Sequence, residues 1–151
     1  EKQINNLDEL ERRLGNKGDR FFTVKNGYVQ SSKSQLAALR AELSRSPRDD
    51  LRDSIKVGVQ RNLDVVFAGE GPEGLQMCQA DQKVSQVFCA ALSVSSCFGT
   101  EAEDWEDFAR LVLEGVYEAT LWAAVLNSKD GGSPRVHLTL VGGGAFGNRI
   151  E

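Results

Sequence analysis

Three consecutive glycines near the carboxyl end of the chain, Gly142, Gly143 and Gly144, are the residues whose type and spacing most suggest a ligand-binding site. They follow the apolar segment 136–141, and Phe146, Gly147 and Asn148 come soon after them. Glycine has no Cβ atom, so its backbone can take positive φ and lets a ligand approach closely. Successive backbone N–H groups in such a turn can converge on an anion. The segment predicts either a loop that holds a phosphate or diphosphate, with Phe146 over a sugar, or a turn that only reverses the chain.

A second glycine turn, Asn26-Gly27, follows the aromatic and β-branched segment 21–24. Asn-Gly favours a hairpin, but no clear partner strand follows, and the sequence predicts a strand, a polar loop and then a helix over 35–43. Ligands of α/β proteins bind beyond the carboxyl ends of strands. Both glycine turns follow predicted strands, so they are placed to line one cleft. Phe146 has no evident core to join, which favours ligand contact.

The composition fits one globular domain. The chain has 151 residues, of which 40% are hydrophobic and 26% charged. Its net charge of −4 argues against broad attraction to nucleic acid or to an anionic membrane. No apolar run reaches the roughly 18 residues of a membrane span, and no signal peptide is visible. We therefore expect an intracellular protein, cytoplasmic or nuclear, with no nucleic-acid or membrane partner.

The cysteine and histidine content argues against a metal site. Three cysteines, Cys78, Cys89 and Cys97, and the single His137 form no zinc-ligand pattern. The thiols are expected to be reduced and to fill core space. The acidic residues of segment 101–107 are explained by helix capping and the helix dipole. We expect neither a metal nor a cofactor.

Hydrophobic periodicity gives the expected order of elements. It predicts helices over 4–14, 35–43 and 105–126 and strands over 21–24, 54–59, 84–94 and 136–141. Segments 44–53 and 68–74 are polar or rich in glycine and predict surface loops. Segment 84–94 is nearly all apolar and predicts a strand buried on both faces of a parallel sheet. With the long helix and segment 136–141 it predicts a right-handed βαβ unit, and so an α/β fold.

Several stretches together resemble a known family. They are Asn26-Gly27-Tyr28-Val29-Gln30, Gln86-Val87-Phe88-Cys89, residues 108–114, residues 117–121 and the run from Leu138 to Asn148. A strand, a long helix and a strand ending in G-x-G-x-F-G resemble the second half of a macrodomain, in the poly(ADP-ribose) glycohydrolase-like branch. The resemblance implies a three-layer α/β/α mixed sheet in a single domain over 1–151. An N-terminal helix and turn would occupy 1–20 and the α/β core 21–151, incomplete at the C-terminus.

The resemblance also implies a function and a set of site residues. Members of the family bind ADP-ribose or ADP-ribosylated protein, and active members hydrolyse the ADP-ribose linkage. It implies ligand binding by Gly27, Gly142, Gly143, Gly144, Ala145, Phe146, Gly147 and Asn148. It places Asn26 near the distal ribose and the attacked carbon. Asp64 is the nearest acidic candidate for a catalytic role.

Departures from the family pattern concern catalysis more than fold. The paired glutamates of the glycohydrolases are absent, since segment 69–74 does not match them. Arg61 and Asn62 stand where an acid is expected, and Ser93 stands where a proline is expected. The alternative hypothesis is therefore a non-catalytic or degenerate, truncated remnant that binds ADP-ribose or a nucleotide. A different nucleotide-binding α/β enzyme is a third class, disfavoured because no P-loop motif is present.

Overall fold

The computed structural model of the chain describes residues 4–78 and 81–149. Within these ranges the helices are α1 (Asp8–Leu14), α2 (Lys33–Leu43), α3 (Arg48–Arg52) and α4 (Ala102–Lys129). The strands are β1 (Thr23–Lys25), β2 (Tyr28–Gln30), β3 (Gly58–Asp64), β4 (Phe67–Gly71), β5 (Gly74–Met77) and β6 (Lys83–Phe88). A short 3₁₀ turn covers Val94–Ser96. The expected mixture of helices and strands is confirmed.

The helix ends follow the local sequence. Helix α1 ends at Gly15, which has φ of 65°, and α2 begins after Ser32. The side chain of Ser32 accepts from the Gln35 N–H at 3.3 Å, and Gln35 Oε1 accepts from the Ser32 N–H at 2.9 Å. This reciprocal cap satisfies donors that the helix leaves unpaired.

The core lies among α1, α2 and the first half of α4. Phe22 and Phe108 are buried with their ring centroids 4.9 Å apart. Trp105 is also buried, and its Nε1 donates to Thr100 Oγ1 at 2.9 Å. Trp122, in the second half of α4, is 60% exposed. The first half of α4 therefore packs into the core, whereas Trp122 lies largely outside it.

All strand pairs in the described ranges are antiparallel and form three two-stranded sheets. Strands β1 and β2 pair through Val24 and Val29, and Asn26 and Gly27 turn the chain with φ of 52° and 81°. Positive φ at both central residues is the geometry of a tight hairpin turn. The prediction of a polar loop without a partner strand is wrong, because β2 is too short to show a period in the sequence.

Within 58–88, the described residues 58–78 and 81–88 form one long hairpin. Strands β3 and β6 make its base and β4 and β5 make its tip. Bonds from the Val65 N–H to the Gln82 carbonyl and from the Cys78 N–H to the Val66 carbonyl continue the pairing between them. The prediction of a loop at 68–74 is therefore wrong.

The buried parallel sheet expected from segments 84–94 and 136–141 is absent from the described residues. Strand β6 ends at Phe88 and is mostly exposed, and segment 136–141 forms no strand. Tyr117 instead binds this segment, because its hydroxyl donates to the Thr139 carbonyl and accepts from the Val141 N–H. Both strand predictions are wrong in these respects, since a strand needs a ladder partner that local sequence cannot supply.

Two further features complete the fold. The predicted surface connection 44–53 contains α3, which begins after Pro47, where a proline is well tolerated. Searching the described helices finds none that is both long and apolar enough to cross a bilayer.

Candidate ligand-binding cavity

A cavity of 510 Å³ lies beside the first hairpin. Its walls come from five parts of the chain: residues 4–7, the β1–β2 hairpin, residues 55–56, residues 90–93 and the inner face of α4. Phe146 of the glycine loop, residues 142–148, completes the lining. The cavity is thus assembled from segments far apart in sequence, as ligand sites commonly are.

The Asn26-Gly27 turn and Phe146 of the second glycine turn meet at this cavity. Asn26, Gly27 and Tyr28 line it from the hairpin, and Phe146 lines it from the loop. The rings of Tyr28 and Phe146 meet edge to face, with centroids 6.4 Å apart. The expectation that both turns face one cleft is met for these residues.

The glycine loop is fixed by its neighbours. The buried Asn148 side chain donates to the Leu92 carbonyl at 2.7 Å and to the Gly142 carbonyl at 3.2 Å. Ser95 holds the other side, because its N–H donates to the Phe146 carbonyl and its hydroxyl to the Ala145 carbonyl. Asn148 and Ser95 therefore position the loop within the protein.

Part of the loop's N–H groups remain available. The N–H groups of Gly143, Gly147 and Asn148 donate to carbonyls within the chain. Those of Gly144, Ala145 and Phe146 make no hydrogen bond to the described residues, and Gly144 and Ala145 are exposed. Three successive N–H donors can bind an anion. They are fewer than the residues 142–148 that were predicted from the sequence to bind the ligand.

Other predicted site residues lie elsewhere. Gly147 and Asn148 line a separate cavity of 500 Å³ against α4. Gly142, Gly143, Gly144 and Ala145 are not among the lining residues of the first cavity. Asp64 is at the end of β3, where its carboxylate binds Lys83 Nζ at 2.6 Å, and it does not line the first cavity. The structure thus brings Asn26 together with Phe146 but not with Asp64.

A larger space of 800 Å³ separates the long hairpin from α4 and segment 133–141. Arg61 and Asn62, which stand where the family has an acid, line this space, and Arg61 pairs with Asp130. His137 lines it as well and is exposed. None of the predicted ligand-binding residues lies in it, so the 510 Å³ cavity is the better candidate of these two.

The described lining of the candidate cavity is uncharged apart from one cation. Lys56 is the one charged residue in its described lining, and Asn5, Asn6, Asn26 and Ser93 supply neutral polar groups. No carboxylate or imidazole is among these residues. The sequence pattern did not single out Lys56, because a lysine within the predicted strand 54–59 resembles any solvated lysine.

The thiols and acids elsewhere do not form a competing site. Burial raises the pKa of the Cys89 and Cys97 thiols, which disfavours the nucleophilic thiolate. In the described part of the chain, no three residues among His, Cys, Asp and Glu are grouped so as to hold a metal ion.

The chain was also compared with known proteins. Neither protein-family models, nor curated proteins, nor solved structures gave a match.

Proposed function

We propose that the cavity beside the first hairpin binds ADP-ribose, free or attached to protein, in a macrodomain-like manner. The distal ribose would lie in the cavity between Asn26 and Phe146. The diphosphate would extend from Phe146 to the N–H groups of Gly144 and Ala145, which lie outside the cavity lining and donate to no described residue. The family's three-layer fold stays a prediction of the sequence resemblance, since the described strands form three separate two-stranded sheets. The binding proposal is supported by the sequence resemblance and by the glycine loop that follows the long helix.

The observation that carries the proposal is the meeting of two turns that the sequence singled out separately. Asn26-Gly27 and Phe146 are about 120 positions apart in the chain, yet they line one cavity. The loop reaches this cavity through Phe146, whose ring packs against Tyr28 of the hairpin. Loop residues that converge on a cavity are typical of binding sites.

The proposal is recognition of ADP-ribose rather than its hydrolysis. Hydrolysis of a glycosidic bond commonly uses a pair of carboxylates, and the described lining of the cavity offers none. Asn26 can orient a ligand hydroxyl or a water, but an amide does not act as a general base. Hydrolytic activity stays a prediction of the family resemblance, as does the catalytic role of Asn26 and Asp64.

Gly144 is the position at which to test binding. A Cβ atom added there meets no atom within 4 Å, and its φ lies outside the left-handed region. Gly144→Glu should therefore fold normally and place a carboxylate beside the N–H groups proposed for the diphosphate. Repulsion between like charges should weaken ADP-ribose binding at least about 10-fold, as measured by calorimetry.

Gly144→Ala is the matched control. It occupies the same open space without charge, so its affinity for ADP-ribose should stay within about 2-fold of the parent, as for most surface changes. An affinity for ADP-ribose that is the same in the parent, Gly144→Ala and Gly144→Glu would contradict the proposed placement of the diphosphate.

A further inference from the structure

We infer that Lys56 recognises the charged part of the ligand, so that the cavity selects nucleotides carrying a diphosphate over neutral nucleosides. The inference rests on the proposed function for the identity of the nucleotide. It adds a contact outside the glycine loop, on a separate wall of the cavity.

The charge of the cavity is the first observation. Charged residues make up 26% of the chain, and acids outnumber bases by 22 to 18. Against that background the described lining of the cavity carries one charged residue, and it is the cation Lys56. A cavity lined in this way attracts anions even though the whole chain is negative.

The second observation is that Lys56 has no carboxylate partner. Many cations of the chain are paired, among them Arg40 with Asp107, Arg48 with Glu114 and Arg52 with Glu118. No ion pair or side-chain hydrogen bond joins Lys56 to any described residue. Its three N–H donors therefore remain free for a ligand.

The backbone beneath Lys56 is held firmly. Its N–H donates to the Asn6 carbonyl at 3.2 Å. The neighbouring Ile55 is buried against α4, where a Cβ atom added to Gly115 would lie 2.6 Å from Ile55 Cδ1. The side chain of Lys56 itself is exposed. The backbone of Lys56 is thus held in place, while its ammonium group is free to contact a ligand.

Lys56 supplies what the glycine loop lacks. The loop offers the N–H groups of Gly144 to Phe146, which are neutral dipoles, whereas a diphosphate carries at least two negative charges. Hydrogen bonds from an ammonium to an anion are roughly twice as strong as neutral ones. A diphosphate that contacts both the loop dipoles next to Phe146 and the ammonium of Lys56 would have both its shape and its charge recognised.

The experiment titrates the full chain by calorimetry with ADP-ribose, inorganic pyrophosphate and adenosine. The variants are Lys56→Ala and, as a matched control, Lys25→Ala. Lys25 is an exposed lysine beside Asn26 that is not among the cavity's lining residues. Thermal unfolding of both variants should match the parent, because both side chains are exposed.

The expected result separates the two lysines. Lys56→Ala should weaken ADP-ribose and pyrophosphate binding by about 10-fold or more, as for loss of a hydrogen bond to a charged group. Lys25→Ala should change neither by more than about 2-fold. The parent should prefer ADP-ribose to adenosine, and Lys56→Ala should narrow that preference.

Each contrary outcome overturns a defined statement. If Lys56→Ala binds ADP-ribose as tightly as Lys25→Ala does, the role of Lys56 is refuted and ADP-ribose recognition stands. If the parent binds pyrophosphate through Lys56 but does not bind ADP-ribose, the proposed function is refuted and the anion site stands. If the parent binds neither compound, both statements fail.

Discussion

At the residue scale, the glycines of the loop have different tasks. Gly142 has φ of 77°, and a Cβ atom there would lie 2.3 Å from Ala91 Cβ and 2.7 Å from Asn148 Nδ2. Gly144 has open space around it. Gly142 is therefore required by backbone conformation and close packing, whereas Gly144 is required by neither and is free to face a ligand.

This difference predicts unequal effects on stability from the same substitution. Gly142→Ala should lower the free energy of unfolding by about 1–3 kcal/mol, because it adds strain and overpacks the loop against residue 91. Gly144→Ala should change it by less than about 0.5 kcal/mol. Chemical denaturation of the two variants measures both values, and equal effects would contradict the packing described for Gly142.

The sequence identified this loop, but it did not indicate which of its glycines are packed and which are open to a ligand. Glycine spacing left a phosphate loop and a plain turn open, and the family resemblance assigned ligand binding to all of residues 142–148. Ala91 and Ser95, which decide which glycines are packed, lie some 50 positions away and gave no signal. Lys56 was missed for the same reason, because its significance comes from the walls around it.

At the element scale, α4 shows what periodicity can and cannot predict. The predicted helix, 105–126, lies within the observed Ala102–Lys129, because a long apolar stripe and an acidic first turn are strong local signals. Its environment changes along its length. Leu111 is fully buried, whereas Leu121 is 48% exposed.

The change in environment predicts a difference between two identical substitutions. Leu111→Ala should cost about 2–5 kcal/mol of stability, since it leaves a cavity in the core. Leu121→Ala should cost less than about 1 kcal/mol, because much of its side chain is already in water. Urea unfolding of the two variants provides the comparison. A larger loss for Leu121→Ala would mean that the second half of α4 is covered.

The strands were harder to predict than the helices. Segments 84–94 and 136–141 are apolar enough to suggest buried strands, yet β6 has one partner and segment 136–141 has none in the described residues. A helix satisfies its own backbone hydrogen bonds, but a strand depends on a neighbour elsewhere in the chain. Local sequence therefore predicted the apolar character of these segments but not their pairing.

At the scale of the whole molecule, the cavity belongs to the packed part of the chain. It is bounded by α4, the β1–β2 hairpin and residues beside α1, all of which contribute to the core. The hairpin over 58–88 lies outside this core, with Phe67, Leu75 and Met77 largely exposed. Two-stranded hairpins are marginally stable alone. The proposed binding site therefore rests on the best-packed elements.

The most direct test of ADP-ribose binding in the cavity beside the first hairpin is calorimetric titration of ADP-ribose into the parent, Phe146→Ala and Phe98→Ala. Phe146 lines the cavity, whereas Phe98 is fully exposed and away from it, so the two variants remove the same side chain from different surroundings. If ADP-ribose binds in this cavity, the parent and Phe98→Ala should bind it with equal affinity. Phe146→Ala should lose about 0.5–1.5 kcal/mol of binding free energy, as expected for an aromatic contact. Absence of binding to the parent, or equal affinities for all three proteins, would contradict binding in this cavity.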